Sequence, residues 1–464
     1  MSQKPIFHFE ISERKLLLRL FDNLGVLLAL KLVEVIFKFD YFKIDPSNWS
    51  WPVVFLIYLN FFGSVFELYD LQKADRYDSV LKNVLLTTSL TVLVYLLTPF
   101  FTPSLPENRL QILFFFLSVA GSLLLWRYLY ISLISSPRFY KRVLVVGDSF
   151  DIKQIAESLQ KSDPNYLVVG YINTSNKKKE TSENGNLLEL KIAGLEEAIN
   201  EYHINEIVVS SSYKRGLMLN LYSQLSNLLK KGFPIRDYVQ VYEEITHRIP
   251  VQNIEKDFYR YFPFSRSNQN KLYGVALRFF DIVISLMGIL LGIVLLPIIL
   301  IGNLLANRGR LFYSQQRVGK HGVNFKILKL RTMTKDAEVA GPQYAQKGDL
   351  RITLFGLFLR RSRIDEIPQF FNVLKGDMSL IGPRPERPVF VKELSEIIPF
   401  YDTRHIIKPG LTGWAQVKAN YGTSHTDSLE KLQYDLYYIK HRGLFLDLNI
   451  LLKTLSTIVF FRGQ

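Results

Sequence analysis

The stretch YGVALRFFDIVISLMGILLGIVLLPIILIGNLLANRGR, residues 273–310, decides how this chain is built. It is apolar for longer than the ~20 helical residues needed to cross ~30 Å of hydrocarbon. Two features argue against a straight crossing. Pro297 lies inside the run, and an interior Pro removes a backbone hydrogen bond and kinks the helix. Lys271 and Arg278 sit at its start, while Arg308, Arg310, Arg317 and Lys320 follow it. Basic residues on both sides disfavour transit from one face to the other. The expectation is a re-entrant helix, about residues 275–305, that bends at Pro297 and leaves on the face it entered. Backbone groups freed near Pro297 would need internal partners such as Ser285 or water. An ordinary kinked span is the alternative.

Toward the amino terminus lie four more apolar runs, at about residues 16–39, 51–69, 84–101 and 110–131. The first carries Arg19, Asp22, Lys31 and Glu34, and opposite charges one turn apart are expected to pair inside a bundle. Lys and Arg in the segments flanking these runs alternate 3, 1, 3, 1, 3. That bias predicts four spans with both ends in the cytoplasm. No cleavable signal peptide is expected, because the first run is too long and lacks a small-residue cleavage site.

After Lys141 the pattern changes to alternating strands and helices, as in RVLVVGDSFDIKQIAESLQ, LVVGYI and EIVVSSS. This predicts a parallel sheet. A dinucleotide site would need Gly-x-Gly-x-x-Gly after the first strand. Gly147 is followed instead by Asp148, Ser149 and Phe150, and Asp148 would repel phosphate. The reading is a degenerate Rossmann-like domain with a structural or regulatory role. NTSNKKKETSENGN, from Asn173, reads as a polar loop.

Composition narrows the chemistry. The 464 residues contain no Cys, which excludes disulfides, thiolate metal sites and thiol nucleophiles. The net charge of +15 and pI of about 9.5 favour polyanionic partners. With 48% hydrophobic residues, anionic lipid or phosphorylated substrate fits better than nucleic acid. The seven His are scattered and no pair has metal-ligand spacing on a helix, so zinc is not expected.

The carboxy-terminal half carries LRFFD (277–281), YSQQRVG (313–319), FKILKLRTM (325–333), RRSRIDEIPQFFNVLKGDMSLIGPRPE (360–386), KPGLTGWAQV (408–417) and YDLYYI (434–439). Taken alone, Asp365 and Glu366 are adjacent carboxylates among Arg351, Arg360, Arg361 and Arg363. A carboxylate can attack phosphorus, and Arg forks bind phosphate oxygens. Asp365 ahead of Pro368 also has the pattern of a helix N-cap. Arg384, between two prolines, reads as a rigid turn or a phosphate contact, with Lys329 and Arg331 in support. Trp414 is a candidate stacking aromatic or a core residue. Asp435 positions substrate or metal, or forms a salt bridge. The last apolar stretch, residues 444–461, contains Asp447, Asn449 and Lys453 and reads as an interfacial amphipathic helix.

From about Leu272 to the end, these motifs closely resemble the bacterial sugar transferases, the polyprenyl-phosphate phosphoglycosyl transferases. Four spans and a degenerate α/β domain ahead of them resemble the family's large multidomain, monotopic-type branch. The resemblance implies transfer of a hexose-1-phosphate from a UDP-sugar to undecaprenyl (polyprenyl) phosphate with release of UMP. That reaction begins O-antigen, capsule or exopolysaccharide assembly. The resemblance also implies Mg²⁺ and a catalytic Asp–Glu pair, which falls on Asp365 and Glu366, both also candidate metal ligands. Lys329, Arg331, Arg351, Arg360, Arg361 and Arg384 become candidate nucleotide and phosphate contacts, and Pro297 the membrane re-entrant break. The expected organisation is a transmembrane α-helical bundle at 1–140, a Rossmann-like α/β domain at 141–260 and an α/β sugar transferase domain at 261–464. The last includes the re-entrant and interfacial helices. The expected place is the bacterial inner membrane, with multiple passes and the catalytic domain on the cytoplasmic face. Expected partners are UDP-sugar, polyprenyl phosphate and membrane lipids, optionally a second copy in a homodimer, and no nucleic acid. Two other classes stay open: a non-catalytic membrane scaffold or sensor whose α/β domain binds a ligand, and a membrane glycosyltransferase that releases UDP.

Overall fold

The computed structural model describes residues 11–37, 39–74, 77–134, 140–147, 155–160, 166–173, 187–190, 194–210, 219–251, 270–307, 309–334, 337, 349–419, 422 and 424–459. The chain divides into two units, Met1–Thr246 and His247–Gln464.

The first unit begins with helices α1 (Ile11–Phe37), α2 (Ser50–Val65), α3 (Leu71–Ala74), α4 (Tyr77–Leu97) and α5 (Leu110–Leu129). The four long ones share a core in which Phe42, Phe55, Tyr95 and Phe115 meet, with Phe55 and Phe115 centroids 5.4 Å apart. Tyr77–Leu97 and Leu110–Leu133 are long and apolar enough to cross a membrane, whereas α2 has only 16 residues. The charges on α1 follow the one-turn expectation in part. Lys31 pairs with Glu34 at 2.9 Å. Asp22 instead accepts from Arg127 Nη2 of α5 at 2.6 Å, with both side chains buried. Burial selects this pairing, because a charge inside an apolar bundle needs a partner that is buried with it.

The same unit holds strands β1 (Lys141–Gly147), β2 (Tyr166–Asn173), β3 (Leu188–Glu189), β4 (Glu206–Val209) and β5 (Ile235–Asp237). Their order is β3-β2-β1-β4-β5 and every pairing is parallel. The order reverses between β1 and β4, a doubly wound pattern. Val143 to Val146 are fully buried, as a sheet covered on both faces requires. Helices α6 (Leu195–Glu201), α7 (Leu219–Lys230) and α8 (Tyr238–Thr246) complete it. The turn at Asp148–Phe150 and most of the polar loop from Asn173 lie outside the described residues.

In the second unit, Asn270 caps α9 (Lys271–Gly302) by accepting from Leu272 N and Tyr273 N. The helix continues past Pro297, which itself donates no backbone hydrogen bond, and Lys271–Asn307 is long and apolar enough to cross a membrane. One side of α9 is bound to the rest of the unit along its length. Arg278 donates to Val373 O and Leu374 O at 2.6 Å, and Asp281 accepts from Ser379 Oγ at 3.0 Å and Leu380 N at 2.8 Å. Gly288 meets the Phe370 ring and Gly302 the Phe355 ring, where any Cβ would collide. Residues 278–302 cover ~36 Å at 1.5 Å per residue. The other side exposes Met287, Leu290, Val294, Ile298 and Ile301, so the polar groups face inward and the apolar groups outward.

Antiparallel β6 (Phe312–Val318) and β7 (Asn324–Leu330) form a hairpin around the Gly319–Gly322 turn, with His321 and Gly322 at positive φ. Then come α10 (Leu354–Arg361), α11 (Gln369–Lys375), β8 (Ser379–Ile381), α12 (Pro388–Ile397), β9 (Gly410–Thr412), α13 (Trp414–Lys418), α14 (His425–His441) and α15 (Leu444–Val459). The last helix is also polar inward: Asp447 accepts from Tyr273 at 2.6 Å and Tyr438 at 2.8 Å, while Phe445 is 93% exposed.

Candidate active site

The site is assembled between β7 and the segment after α10. Asn372 of α11 binds the β7 edge as a strand would, donating to Lys326 O at 2.8 Å and accepting from Leu328 N at 3.0 Å. This fixes Lys329 opposite the turn Ile364–Glu366. The turn starts at Arg363, which takes a left-handed φ of 58° that few non-Gly residues adopt. Asp365 and Glu366 are both buried there. Asp365 does not cap the next helix, whose N-cap is Pro368 without a side-chain hydrogen bond.

The two carboxylates are treated differently. Glu366 Oε1 accepts from Lys329 Nζ at 2.9 Å and Arg384 Nη2 at 3.2 Å, and Oε2 accepts from Arg363 Nη1 at 3.3 Å. Burial pushes its pKa up, but Lys329, Arg384 and Arg363 outweigh burial and hold it well below the usual value. Asp365 accepts no hydrogen bond among the described residues. Burial first, and the Glu366 charge second, push it up to about 6. Burial pushes Lys329 down despite Glu366.

Both carboxylates open on a cavity of about 400 Å³. Of the residues singled out by sequence, Lys329, Arg331, Arg351, Arg360 and Arg384 line it with them. Arg331 donates to Arg310 O and Asn307 O, fastening the chain that leaves α9. Arg351 is held by Asp349, with its Nη2 at 2.6 Å, and Arg360 Nε donates to Thr332 Oγ1 at 2.9 Å. Arg361 is exposed and is not among the lining residues. Pro297, on α9, does not line the cavity either. Trp414 is a core residue, 2% exposed, whose Nε1 donates to His247 O. The glycines of KPGLTG serve backbone packing: Gly410 N donates to Pro383 O and Gly382 N to Thr412 O, both at 2.9 Å. They brace the loop presenting Arg384.

Sequence reasoning missed Arg317, Arg404 and Lys431, which also line the cavity. Arg404 donates to Asp435 Oδ2 at 2.7 Å, to Tyr401 Oη at 2.6 Å and to Arg384 O at 3.1 Å. Asp435 is therefore the salt-bridge partner of a cavity arginine, and burial pushes it up to about 6. The spacing between residues 404 and 435 carries no local signal. Among the described residues no three His, Asp or Glu side chains gather as a metal cluster.

A family model described as bacterial sugar transferase matches residues 272–461. A UDP-N-acetylgalactosamine-undecaprenyl-phosphate N-acetylgalactosaminephosphotransferase of Aeromonas hydrophila is 40% identical over 226 residues, 49% of this chain and 52% of that protein. A UDP-glucose:undecaprenyl-phosphate glucose-1-phosphate transferase of Xanthomonas campestris pv. campestris is 39% identical over 212 residues, 44% of this chain and 42% of that protein. A Bacillus subtilis (strain 168) relative, named provisionally as an undecaprenyl-phosphate N-acetylgalactosaminyl 1-phosphate transferase, is 47% identical over 141 residues, 30% of this chain and 79% of its own length. The chain spans about half the length of the first two relatives.

Proposed function

The chain belongs to the bacterial sugar transferase family, and from that premise we propose that it transfers a hexose-1-phosphate from a UDP-sugar to undecaprenyl (polyprenyl) phosphate, releasing UMP. One observation carries the reading. Asp365, without a hydrogen-bonded donor among the described residues, stands beside Glu366, which is already neutralised by three cations, in a cavity rich in guanidinium groups. Asp365 is the nucleophile: a carboxylate oxygen attacks the β-phosphorus, the bond from that phosphorus to the bridging oxygen breaks, and UMP leaves with the oxygen. An oxygen of the lipid phosphate then attacks the same phosphorus and returns the carboxylate. Glu366 holds Lys329 and Arg384 where phosphate oxygens arrive. The donor set is oxygen only, which fits Mg²⁺, and the Asp365 oxygens are the ones not engaged by cations. When bound there by Asp365 with Glu366 beside it, Mg²⁺ would supply charge neutralisation at the phosphates.

The helix α9 is the re-entrant membrane element of this reading. Its bonds to one unit from Arg278 to Gly302, with apolar residues outward, support a helix that stays with a domain at one membrane face. That face is the cytoplasmic one of the inner membrane, where UDP-sugar is found. The product would begin an O-antigen, capsule or exopolysaccharide repeat. The test is a panel of UDP-glucose, UDP-galactose and UDP-N-acetylgalactosamine with polyprenyl phosphate, assayed for UMP. Release of UDP, or no turnover with any member, refutes it.

A further inference from the structure

Two groups of lining residues flank the carboxylate pair: Arg360, which donates to Thr332, and Arg384, which donates to Glu366 and whose carbonyl accepts from Arg404. At one end Thr332, Arg351 and Arg360 adjoin the carboxy-terminal end of the membrane helix. Thr353 donates from its backbone N to Thr332 O and from Oγ1 to Asn307 Oδ1, and Arg331 donates to Asn307 O. At the other end, past Arg384, the lining comes from α12, α14 and the segment between them. There Phe390, Leu394 and Tyr401 supply apolar surface, and Arg317, Arg404 and Lys431 supply positive charge. Arg317 and Arg404 are largely buried, and the Nε of each meets no acceptor among the described residues. Glu386 lies 3.6 Å from Arg317, Asp435 is bonded to Arg404 and Asp427 acts on Lys431, so with Arg387 four cations stand against three carboxylates at this end. Arg404 is locked by Asp435 and Tyr401, which fixes its charge without a ligand present.

We propose that this far end is the nucleoside monophosphate subsite, with base and ribose against the apolar surface and the α-phosphate among Arg317, Arg404 and Lys431. The proposal rests on the function proposed above and gives it a direction. The β-phosphorus then falls at Asp365, and the lipid phosphate reaches it from the end beside the membrane helix. A phosphate subsite alone would need no apolar wall, and a lipid subsite would adjoin α9. An apolar wall with fixed cations suits a nucleotide that enters from water and departs before the lipid reacts.

The full chain in detergent is titrated with UMP by calorimetry without lipid, and KM is measured for UDP-sugar and for polyprenyl phosphate. Lys431→Gln is expected to weaken UMP about tenfold, as loss of one charge-assisted contact does. KM for UDP-sugar rises in parallel and KM for polyprenyl phosphate stays within about twofold. Phe390→Leu, milder for folding, is expected to weaken UMP about threefold and to leave inorganic phosphate inhibition unchanged. Arg360→Gln does the reverse, raising KM for the lipid only. The inference is overturned if Lys431→Gln and Phe390→Leu shift the lipid KM alone, or if wild-type protein binds no UMP. If wild-type protein binds UMP with these variant effects yet turns over no UDP-sugar, the proposed activity fails and the subsite stands.

Discussion

At the scale of single residues, Asp365 and Glu366 differ by one methylene and one position, yet their surroundings give them opposite electrostatics. Asp365 is pushed up to about 6 by burial and by its neighbour, so its charge works against the fold. Its folded pKa exceeds the unfolded one, and the associated stability is complete below about pH 4 and lost as pH rises through about 6. Asp365→Asn at pH 7.5 is therefore expected to abolish UMP release and to raise the thermal midpoint, by about 2 to 4 °C per kcal/mol recovered. Glu366 is held below its usual value, so its charge supports the fold. Glu366→Gln leaves Lys329, Arg363 and Arg384 around a neutral amide and is expected to lower both activity and midpoint. Breaking one side of a buried ion pair costs roughly 3–5 kcal/mol. Near-native UMP release by Asp365→Asn, or a midpoint that falls in both variants, contradicts the division of roles. Because an attacking carboxylate must be ionised, kcat/KM in the wild-type protein is expected to fall on the acid side with a limb near pH 6. A profile flat down to pH 4.5 would count against Asp365 as the attacking group.

Among elements, those with a strong period or a long apolar run were legible. The β6–β7 hairpin, the parallel sheet and the apolar helices follow from alternation and hydropathy, because each decides its own local structure. The Lys329–Glu366 and Arg404–Asp435 pairs did not, since their partners lie 37 and 31 residues apart and meet only when the unit closes. Asp22 with Arg127 is the same lesson inside the helical bundle, at a separation of 105 residues. The adjacency of Asp365 and Glu366 was readable, but that one accepts hydrogen bonds from three cations and the other from none was not. For α9 the sequence gives Pro297 and basic flanks, and the fold adds a contact face running from Arg278 to Gly302. A straight crossing would pull part of that face away from the domain it binds. The native chain has no Cys, so single cysteines can be placed at will. Cys at Lys271 and Cys at Arg310 are expected to react with an impermeant maleimide from the same, cytoplasmic, side of sealed vesicles. Labelling from opposite sides refutes re-entry.

For the whole molecule, the chemistry sits in one unit, and the doubly wound sheet of the other carries no second active centre in this reading. Gly147 ends β1 at the switch point, where a Cβ would lie 2.9 Å from Ser210 Cβ, so the strand end is already filled by protein. The full chain is expected to show no submicromolar affinity for NAD by calorimetry, and such affinity would overturn a purely structural or regulatory sheet. The remaining question for the molecule is how one cavity serves a water-soluble nucleotide sugar and a lipid. A volume of about 400 Å³ is small for both substrates together with the leaving nucleotide. A covalent sugar-phosphate ester on Asp365 removes the difficulty, because UMP departs before the lipid phosphate reacts. The kinetic signature is ping-pong, with parallel initial-rate lines for the two substrates. A second signature needs no lipid: UDP-sugar labelled in the sugar should leave label on the wild-type chain and none on Asp365→Asn. Acyl phosphates are labile, so the quench must be rapid and the adduct read as an intact-mass increase equal to one hexose phosphate. A direct attack by lipid phosphate in a ternary complex predicts intersecting lines and no adduct. That pair of results would leave Asp365 as a metal ligand and end the two-step proposal.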